Sequence, residues 1–283
     1  MSEPRTVVVL VKRALAPGLP AGLDAAGQVS ADESFPMMEP SAVAALDAAR
    51  QVAGPTGKVV AFSVGGPMVE DVLRRAMELG ADRAIRVDMA RWRHLPARAV
   101  AIALTKAIRR SVDRVDLAVC GDRSIDEGAG EVGPRVAHAL GLPWTNAVAS
   151  VQVQEDGSLI LLRRRPRGER LVVRATLPAM LCLDPTPAPA EPATAALTIA
   201  SMTAPIEILA LPPLAREPAL PLRRLRPRVF PVSIPRQDLP ADQRIWSMFW
   251  GDEARREGTV FTLSPQETAR RILDLLDQRG LLA

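Results

Sequence analysis

Four short runs rich in β-branched residues constrain the fold of this chain more than any other feature. Each run is continuously apolar rather than alternating, which is typical of parallel strands covered on both faces. Segments with helical periodicity separate the runs, and this alternation predicts right-handed βαβ units and a mostly parallel, doubly wound α/β sheet. The predicted strands are TVVVLV (6–11), KVVAFSV (58–64), RAIRV (83–87) and VDLAVC (115–120), and the predicted helices span 39–53, 68–80 and 97–110.

Beyond residue 145 the pattern changes. From residue 147 to LPAMLCL (177–183), runs of strand-forming residues are separated by EDG and PRG turns, which predicts antiparallel hairpins that extend the same sheet. The next stretch, DPTPAPAEPATAAL (184–197), is too rich in proline for a helix or a central strand. PIEIL (205–209) is expected to be an edge strand, and it completes a first predicted domain, 1–211.

Residues 212–283 are predicted to form an extended proline-rich arm followed by a helix. Prolines recur every few residues up to about Pro240, so neither a helical nor a strand period survives. An aromatic cluster follows, made of Trp246, Phe249 and Trp250. The amphipathic helix near the C-terminus begins at a predicted capping box, with Ser264 as N-cap, Pro265 at N1 and Glu267 at N3.

Composition argues against several classes of function. The chain has no tyrosine and 5 phenylalanines, so a stacking platform for nucleic acid is not expected, although the net charge is +4. With 2 histidines and no Cys/His cluster, no metal site is predicted, and Cys120 and Cys182 are interpreted as buried free thiols. The first apolar run is too short for a signal peptide and no run is long enough to span a membrane, so a cytoplasmic protein is expected. No acid/base pair or nucleophile stands out, and no catalytic residue is predicted.

The segment CGDRSIDEGAGEVGP (120–134) is long and glycine-rich for a strand-to-helix connection. It contains no lysine and is neither a Walker A nor a GxGxxG motif. Gly128 and Gly130 let the backbone approach a ligand closely, and the amides that begin the next helix can hold phosphate without a lysine. In one interpretation Asp126 and Glu127 accept hydrogen bonds from a ribose or adenine. In the other they only cap the helix.

Four stretches, covering roughly residues 6–209, resemble the electron transfer flavoprotein beta subunit. They are VVLVKR, EPSAVAALDAA, LRRAMELGADRAIRV and GDRSIDEGAGEVGPRVAHALGLPW. The most specific match is GADRAIRV together with the loop, where the family shows G-x-Q-A-I-D-x-D-x-x-Q-V-G-P. The resemblance implies an adenine-nucleotide-binding α/β domain of the alpha-hydrolase-like type. It also implies an alpha subunit that carries most of the FAD contacts, and a structural AMP in the loop.

By resemblance, nucleotide contacts are expected from the first strand, the start of the first helix, the second strand and the loop. These residues are Leu10, Glu39, Pro40, Ser41, Ala42, Val64, Gly121, Asp122, Arg123, Ser124, Ile125, Asp126, Glu127, Gly128, Ala129, Gly130, Glu131 and Val132.

Three of these residues depart from the family pattern. Asp122 stands where lysine is common, Glu131 where glutamine is usual, and Glu39 where asparagine is found. A carboxylate beside a phosphate is repulsive unless it turns away. These departures argue against AMP, but the resemblance still ranks AMP first for this pocket, an empty or altered pocket second and a second FAD third.

The flavin-facing and partner-facing segments are also altered. Pro17 and Ser41 stand where the family often has a tyrosine and a phenylalanine near the flavin, so FAD contacts from backbone or aliphatic groups are expected. The family's docking loop corresponds to AEPATAAL, which makes Leu197 the matching anchor, without the family's arginine, tyrosine and lysine cluster. A dehydrogenase other than the usual acyl-CoA type is therefore expected. The alternative interpretation of AEPATAAL is an inert Pro/Ala linker that docks no partner.

The function implied is the beta subunit of a heterodimeric electron carrier without substrate chemistry of its own. It would accept electrons from a flavin dehydrogenase through FAD held mainly by the alpha subunit, and pass them toward a membrane quinone reductase. Trp246, Phe249 and Trp250, with the terminal helix, are expected to grip the alpha subunit. The alternative is a stand-alone adenine-nucleotide-binding regulatory module. An ATP-pyrophosphatase-type enzyme is disfavoured, because VKRALAPG is not its S-G-G phosphate loop.

Overall fold

A computed structural model describes residues 4–16, 36–89, 95–185, 193–211, 239–244 and 262–278. The chain divides into two units, Met1–Pro221 and Leu222–Ala283. The strands, all in the first unit, are β1 (Thr6–Leu10), β2 (Arg13–Leu15), β3 (Pro36–Met38), β4 (Lys58–Gly65), β5 (Arg83–Asp88), β6 (Leu117–Gly121), β7 (Trp144–Val153), β8 (Leu159–Arg164), β9 (Arg170–Ala175), β10 (Ala179–Leu183) and β11 (Glu207–Ala210). Its helices are α1 (Pro40–Ala53), α2 (Glu70–Glu78), α3 (Ala97–Ser111), α4 (Val132–Leu140) and α5 (Ala195–Thr203), and the second unit holds α6 (Pro265–Gln278).

Nine strands form one twisted sheet in the order β11-β5-β4-β1-β6-β10-β7-β8-β9. All pairings from β11 to β7 are parallel, and only β7-β8 and β8-β9 are antiparallel. The predicted doubly wound α/β sheet with an antiparallel extension is therefore confirmed. β2 and β3 make a separate short antiparallel pair, which the sequence patterns did not predict.

Helices cover both faces of the parallel part of the sheet, which explains why its strands are continuously apolar. In β1, Val7 and Val9 pack with α1 and α2 on one face, whereas Val8 and Leu10 pack with α3 and α4 on the other. The second predicted helix is shorter than its pattern, because a 3-10 turn, Pro67–Val69, precedes α2. No helix in the described residues has the length and apolarity needed to cross a bilayer.

One strand differs from the prediction. β10 was expected to continue the antiparallel hairpins, but it lies between β6 and β7 and runs parallel to both. All five of its residues, Ala179–Leu183, are buried. The physical reason was visible in the sequence: AMLCL is as continuously apolar as β1, and such a run fits the covered centre of a parallel sheet better than a hairpin.

The prediction of a helix-free stretch over 184–197 was also wrong, because its last three residues begin α5. Thr194 is the N-cap, and its hydroxyl accepts a hydrogen bond from the Leu197 amide at 3.3 Å. The last proline of the stretch is Pro192, so nothing prevents the alanine-rich residues after it from starting a helix. β11 is the outermost strand beside β5, as predicted for an edge strand.

The second unit contains the predicted terminal helix. Ser264 and Glu267 form a reciprocal capping box: the Ser264 amide donates to Glu267 Oε2 at 3.0 Å, and the Glu267 amide donates to Ser264 Oγ at 3.4 Å. Hydrogen bonding from Ser264 lowers the pKa of Glu267. Trp246, Phe249 and Trp250 lie outside the described residues, and the boundary between residues 211 and 212 stays a prediction.

Candidate functional site

A cleft of about 460 Å³ opens at the carboxyl ends of β1, β4 and β6. From β1 the chain builds β4, β5 and β11 on one side and β6 and β10 on the other. Ligands in open α/β sheets bind where the strand order reverses in this way. The loop from β6 to α4, residues 121–132, forms one wall of the cleft.

Thirteen of the eighteen sequence-predicted contacts line the cleft: Leu10, Glu39, Ala42, Val64, Gly121, Asp122, Arg123, Ser124, Glu127, Ala129, Gly130, Glu131 and Val132. Five lie beside it: Pro40, Ser41, Ile125, Asp126 and Gly128. Ser41 is fully buried beneath the loop, so it offers no surface to a flavin. Pro17 lies outside the described residues.

Glycines give the loop its close turns. Gly128 and Gly130 have φ values of 66° and 62°, which L side chains rarely adopt and glycine adopts readily. A Cβ on Gly121 would lie 2.0 Å from Ser41 Oγ, so the start of the loop sits directly on α1. The glycines therefore serve both the path of the loop and its contact with the core.

The backbone amides at the start of α4 are available to a ligand. Within the described residues, no acceptor contacts the amides of Gly130, Glu131 or Val132, and Glu131 as N-cap makes no side-chain cap. Free amides at a helix N-terminus attract anions, because the helix dipole places partial positive charge there. This arrangement can hold a phosphate group.

Glu39 connects the N-terminus of α1 to the loop by a hydrogen bond. Its side chain lies at the N-terminus of α1 and is 4% exposed. One carboxylate oxygen accepts a hydrogen bond from the Ile125 amide at 2.7 Å, and the other accepts one from Ser41 Oγ at 3.3 Å. The carboxylate that replaces the family's asparagine therefore makes structural hydrogen bonds instead of facing a phosphate.

Lys12 is a charged cleft residue that the sequence prediction missed. From the end of β1 its Nζ reaches Asp126 Oδ1 at 2.7 Å, Ser124 Oγ at 3.3 Å and Glu127 Oε2 at 3.4 Å. Burial would raise the pKa of Asp126, but hydrogen bonds from Lys12 and Ser124 and the Lys12 charge outweigh it, so the pKa is lowered. Among the described residues neither Asp126 nor Glu127 bonds to the first turn of α4, so the capping interpretation was wrong. The VKR motif could have predicted this contact. Lys12 follows the end of β1 and the loop follows the end of β6, and the ends of neighbouring parallel strands lie at the same edge of the sheet.

The two other departures from the family pattern are also partnered within the protein. Glu131 accepts hydrogen bonds from Arg135 Nε at 2.9 Å and Nη2 at 2.6 Å. Asp122 Oδ1 accepts one from the Ala147 amide at 3.3 Å, and its other oxygen lies 3.5 Å from Arg123 Nε. Arginine charge offsets both carboxylates, which reduces the repulsion expected toward a phosphate.

Two thiols form part of the core behind the loop. Cys120 and Cys182 are free, buried and 3.7 Å apart between their sulfurs, on neighbouring strands β6 and β10. The hydrogen bond to Cys182 and burial both raise the pKa of Cys120, so it stays a neutral thiol. A Cβ on Gly133 would lie 2.7 Å from each sulfur, so α4 begins in direct contact with this pair.

The predicted docking residue Leu197 lies far along the chain from the cleft residues and is 42% exposed on α5. Ile199 and Met202 of the same helix are each 67% exposed. In the part of the chain that the structure describes, no three His, Cys, Asp or Glu side chains come together as a metal site requires.

Comparison with known proteins gives a consistent family. Residues 29–214 match the family model of the electron transfer flavoprotein domain. Protein FixA of Azorhizobium caulinodans is 31% identical over 131 residues, which are 45% of this chain and 47% of that protein. The electron transfer flavoprotein subunit beta of Thermoanaerobacterium thermosaccharolyticum is 33% identical over 116 residues, 41% of this chain and 44% of that protein.

A longer alignment joins the chain to the acryloyl-CoA reductase electron transfer subunit gamma of Anaerotignum propionicum, 22% identical over 223 residues, 78% of this chain and 83% of that protein. In the FixA and subunit beta alignments the chain spans about half the length of the curated relatives it matches. The family model covers well over half of the chain. The chain therefore belongs to the electron transfer flavoprotein family, among the beta subunits and FixA proteins.

Proposed function

We propose that this chain is the beta subunit of a heterodimeric electron transfer flavoprotein. The observation that carries the proposal is a pre-formed cleft at the β1–β6 switch point, with free helix-start amides, in a chain of this family. The subunit makes and breaks no substrate bonds. FAD, held mainly by the alpha subunit, supplies the redox chemistry when it is bound.

An adenine nucleotide, most simply AMP, is the ligand that the cleft fits best. Its volume of about 460 Å³ lies within the range of small-ligand sites. The amides of Gly130, Glu131 and Val132 would hold the phosphate, and Lys12 would offset the charge of the loop carboxylates Asp126 and Glu127. Apolar Leu10, Val64 and other strand-end side chains would cover the base. In this role the nucleotide is structural, because it joins β1, α1 and the loop.

α5 is proposed as the surface that meets the electron-donating dehydrogenase. Leu197, Ile199 and Met202 present apolar side chains to solvent there, and single apolar anchors at protein interfaces contribute on the order of 1–3 kcal/mol. The donor is proposed to be a flavin dehydrogenase other than the acyl-CoA type, and the acceptor a membrane quinone reductase. Residues 212–283 are proposed to grip the alpha subunit.

Co-expression with the alpha subunit of the same organism tests the function. The expected product is a yellow complex of one copy of each chain, which releases FAD and AMP when it is denatured and analysed by liquid chromatography. FAD without AMP or a second FAD would mean that the cleft holds no nucleotide. A colourless, stable single chain would overturn the electron-carrier proposal and favour a stand-alone nucleotide-binding module.

The complex then identifies its electron donor in a panel of purified flavin dehydrogenases, as the enzyme that reduces it fastest. A chain shortened after Leu211 tests the proposed arm, residues 212–283. The shortened chain is expected neither to pair with the alpha subunit nor to retain FAD. Retention of both at wild-type affinity would contradict the arm proposal and leave the cleft and α5 proposals untouched.

A further inference from the structure

Helix α5 lacks the usual support of a protein helix. It is nine residues long, and Ser201 is its one buried residue, 2% exposed. A helix this short is marginal alone in water, and most helices are held by an apolar face packed on the core. The apolar residues of α5 instead point outward, with Leu197 at 42% and Ile199 and Met202 at 67% exposure. The contacts that it makes with α2 must therefore hold it in place.

Arg74 of α2 makes the contacts at the C-terminal end. Its Nη1 donates to the carbonyl oxygens of Ser201 at 2.7 Å, Met202 at 3.1 Å and Ala204 at 3.3 Å. Carbonyls in the last turn of a helix have no partner within the helix, and a positive charge there also favours the helix dipole. Arg74 and Ser201 are 127 residues apart along the chain, so this contact ties α5 to a distant helix of the α/β core.

A second contact joins the same two helices. Ser201 Oγ lies 3.4 Å from Glu78 Oε1, one turn further along α2 than Arg74. Ser201 and the half-buried Thr198 mark the side of α5 that packs on α2. Helical spacing places Leu197 on one edge of that side and Met202 on the other. Rotation or fraying of α5 would therefore move both exposed side chains.

We propose that Arg74 is a positioning residue, which fixes the orientation and the last turn of α5 so that its exposed apolar side chains meet the dehydrogenase as a pre-formed surface. This inference rests on the proposed function, in which α5 is the docking surface. Pre-formed surfaces bind more tightly because less conformational entropy is lost on association. Arg74 touches no cofactor, and its effect on electron transfer is indirect.

The experiment compares Arg74→Ala, the conservative Arg74→Lys and a matched control, Arg109→Ala. Arg109 donates in the same way to a helix carbonyl, that of Ala139 near the end of α4, at 2.5 Å. Hydrogen exchange of the full chain reports on α5 directly. In Arg74→Ala, amides of Ser201–Ala204 are expected to exchange about tenfold faster, because a charged donor to three carbonyls is lost. Lysine should restore part of this protection, and Arg109→Ala should leave α5 unchanged.

Electron transfer from the identified dehydrogenase to the complex gives the second readout. Arg74→Ala is expected to raise KM for the dehydrogenase about tenfold with kcat retained, because docking and not the redox step is weakened. Unchanged exchange in α5, or a fall in kcat without a change in KM, would overturn the inference. Leu197→Ala separates the two proposals. If Leu197→Ala raises KM and Arg74→Ala does not, this inference alone fails; if neither variant changes KM, the docking role of α5 fails with it.

Discussion

Loop 121–132 and helix α5 are both proposed contact regions, yet the protein holds them in opposite ways. The loop rests on buried groups from several elements: Glu39 of the α1 N-terminus, Ser41 beneath Gly121, and the two thiols against Gly133. α5 buries one residue and is held against α2 by a few polar contacts near its C-terminal end, with Thr194 capping its start. A site that must keep backbone amides aimed at a ligand needs many buried supports, whereas a docking helix held on one side by a few polar contacts leaves its apolar side chains exposed.

The largest expected effect tests the buried support of the loop. Gly133→Ala places a Cβ about 2.7 Å from both buried sulfurs, and we expect the free energy of unfolding in urea to fall by ~3 kcal/mol. Adding Cys182→Ala should recover part of this loss, because one of the two clashes disappears. A Gly133→Ala variant as stable as wild type would show that α4 can move away, and that the end of the loop is less firmly held than described.

Glu39→Ala is expected to have the next largest effect. It removes the acceptor of the Ile125 amide and of the buried Ser41 hydroxyl, which typically costs about 2 kcal/mol, and it should also release bound nucleotide. Glu39→Gln retains an acceptor oxygen and should lose much less stability. The matched control is Glu155→Ala, an exposed carboxylate in the β7–β8 turn, with an expected change within about 0.5 kcal/mol. Equal effects of Glu39→Ala and Glu155→Ala would contradict the role of Glu39.

The corresponding change at α5 should be local. Thr194→Ala removes the N-cap that accepts from the Leu197 amide, and a lost cap costs on the order of 1 kcal/mol of helix stability. Hydrogen exchange should speed up in α5, while the global free energy of unfolding stays within about 0.5 kcal/mol of wild type. If Thr194→Ala lowered global stability as much as Glu39→Ala, α5 would be an integral part of the core, and the contrast between the two regions would fail.

The smallest effect concerns pH. The Asp126 pKa is lowered in the folded protein because Lys12 and Ser124 outweigh burial, so its interactions stabilise the fold above the ordinary carboxyl pKa. This contribution is lost as the pH falls through the lowered value. Lys12→Met should cost less than about 1 kcal/mol at pH 7, because the pair is partly exposed. The difference from wild type should shrink below about pH 4. Lys58→Met, also exposed, is the control, and a difference that does not change with pH would contradict the Lys12–Asp126 pair.

Much of the fold could be predicted because its signals are local. The runs that became β1, β4, β5 and β6 are mostly apolar on both faces rather than alternating, and this pattern fits strands with helices on both faces. The glycines at 128 and 130 predicted a closely turning backbone, and both have positive φ values in the loop. Ser264 and Glu267 predicted the start of α6. In each case the property that decides the structure, which is strand periodicity, glycine conformation or helix capping, depends on residues close together in the chain.

Errors arose where neighbours in the chain misled the interpretation. β10 follows a hairpin in sequence and was assigned to it, although its own continuous apolar run indicated the sheet centre. The start of α5 was assigned to the helix-free stretch because of the prolines before it, although Thr194 and the alanines after it favour a helix. Both signals lay in the sequence and were outweighed by the composition of the adjoining residues.

The sequence by itself determined the periods of the strands and helices, the left-handed turns of the loop and the free amides that begin α4. Only the tertiary structure decided which side chains meet there. Lys12 meets Asp126 across 114 residues, Glu39 meets Ile125 across 86, and Arg74 meets Ser201 across 127. Periodicity and turn preference depend on near neighbours in the chain. These pairs depend on the order of strands in the sheet, which brings the carboxyl ends of β1 and β6 to one edge and lays α5 against α2.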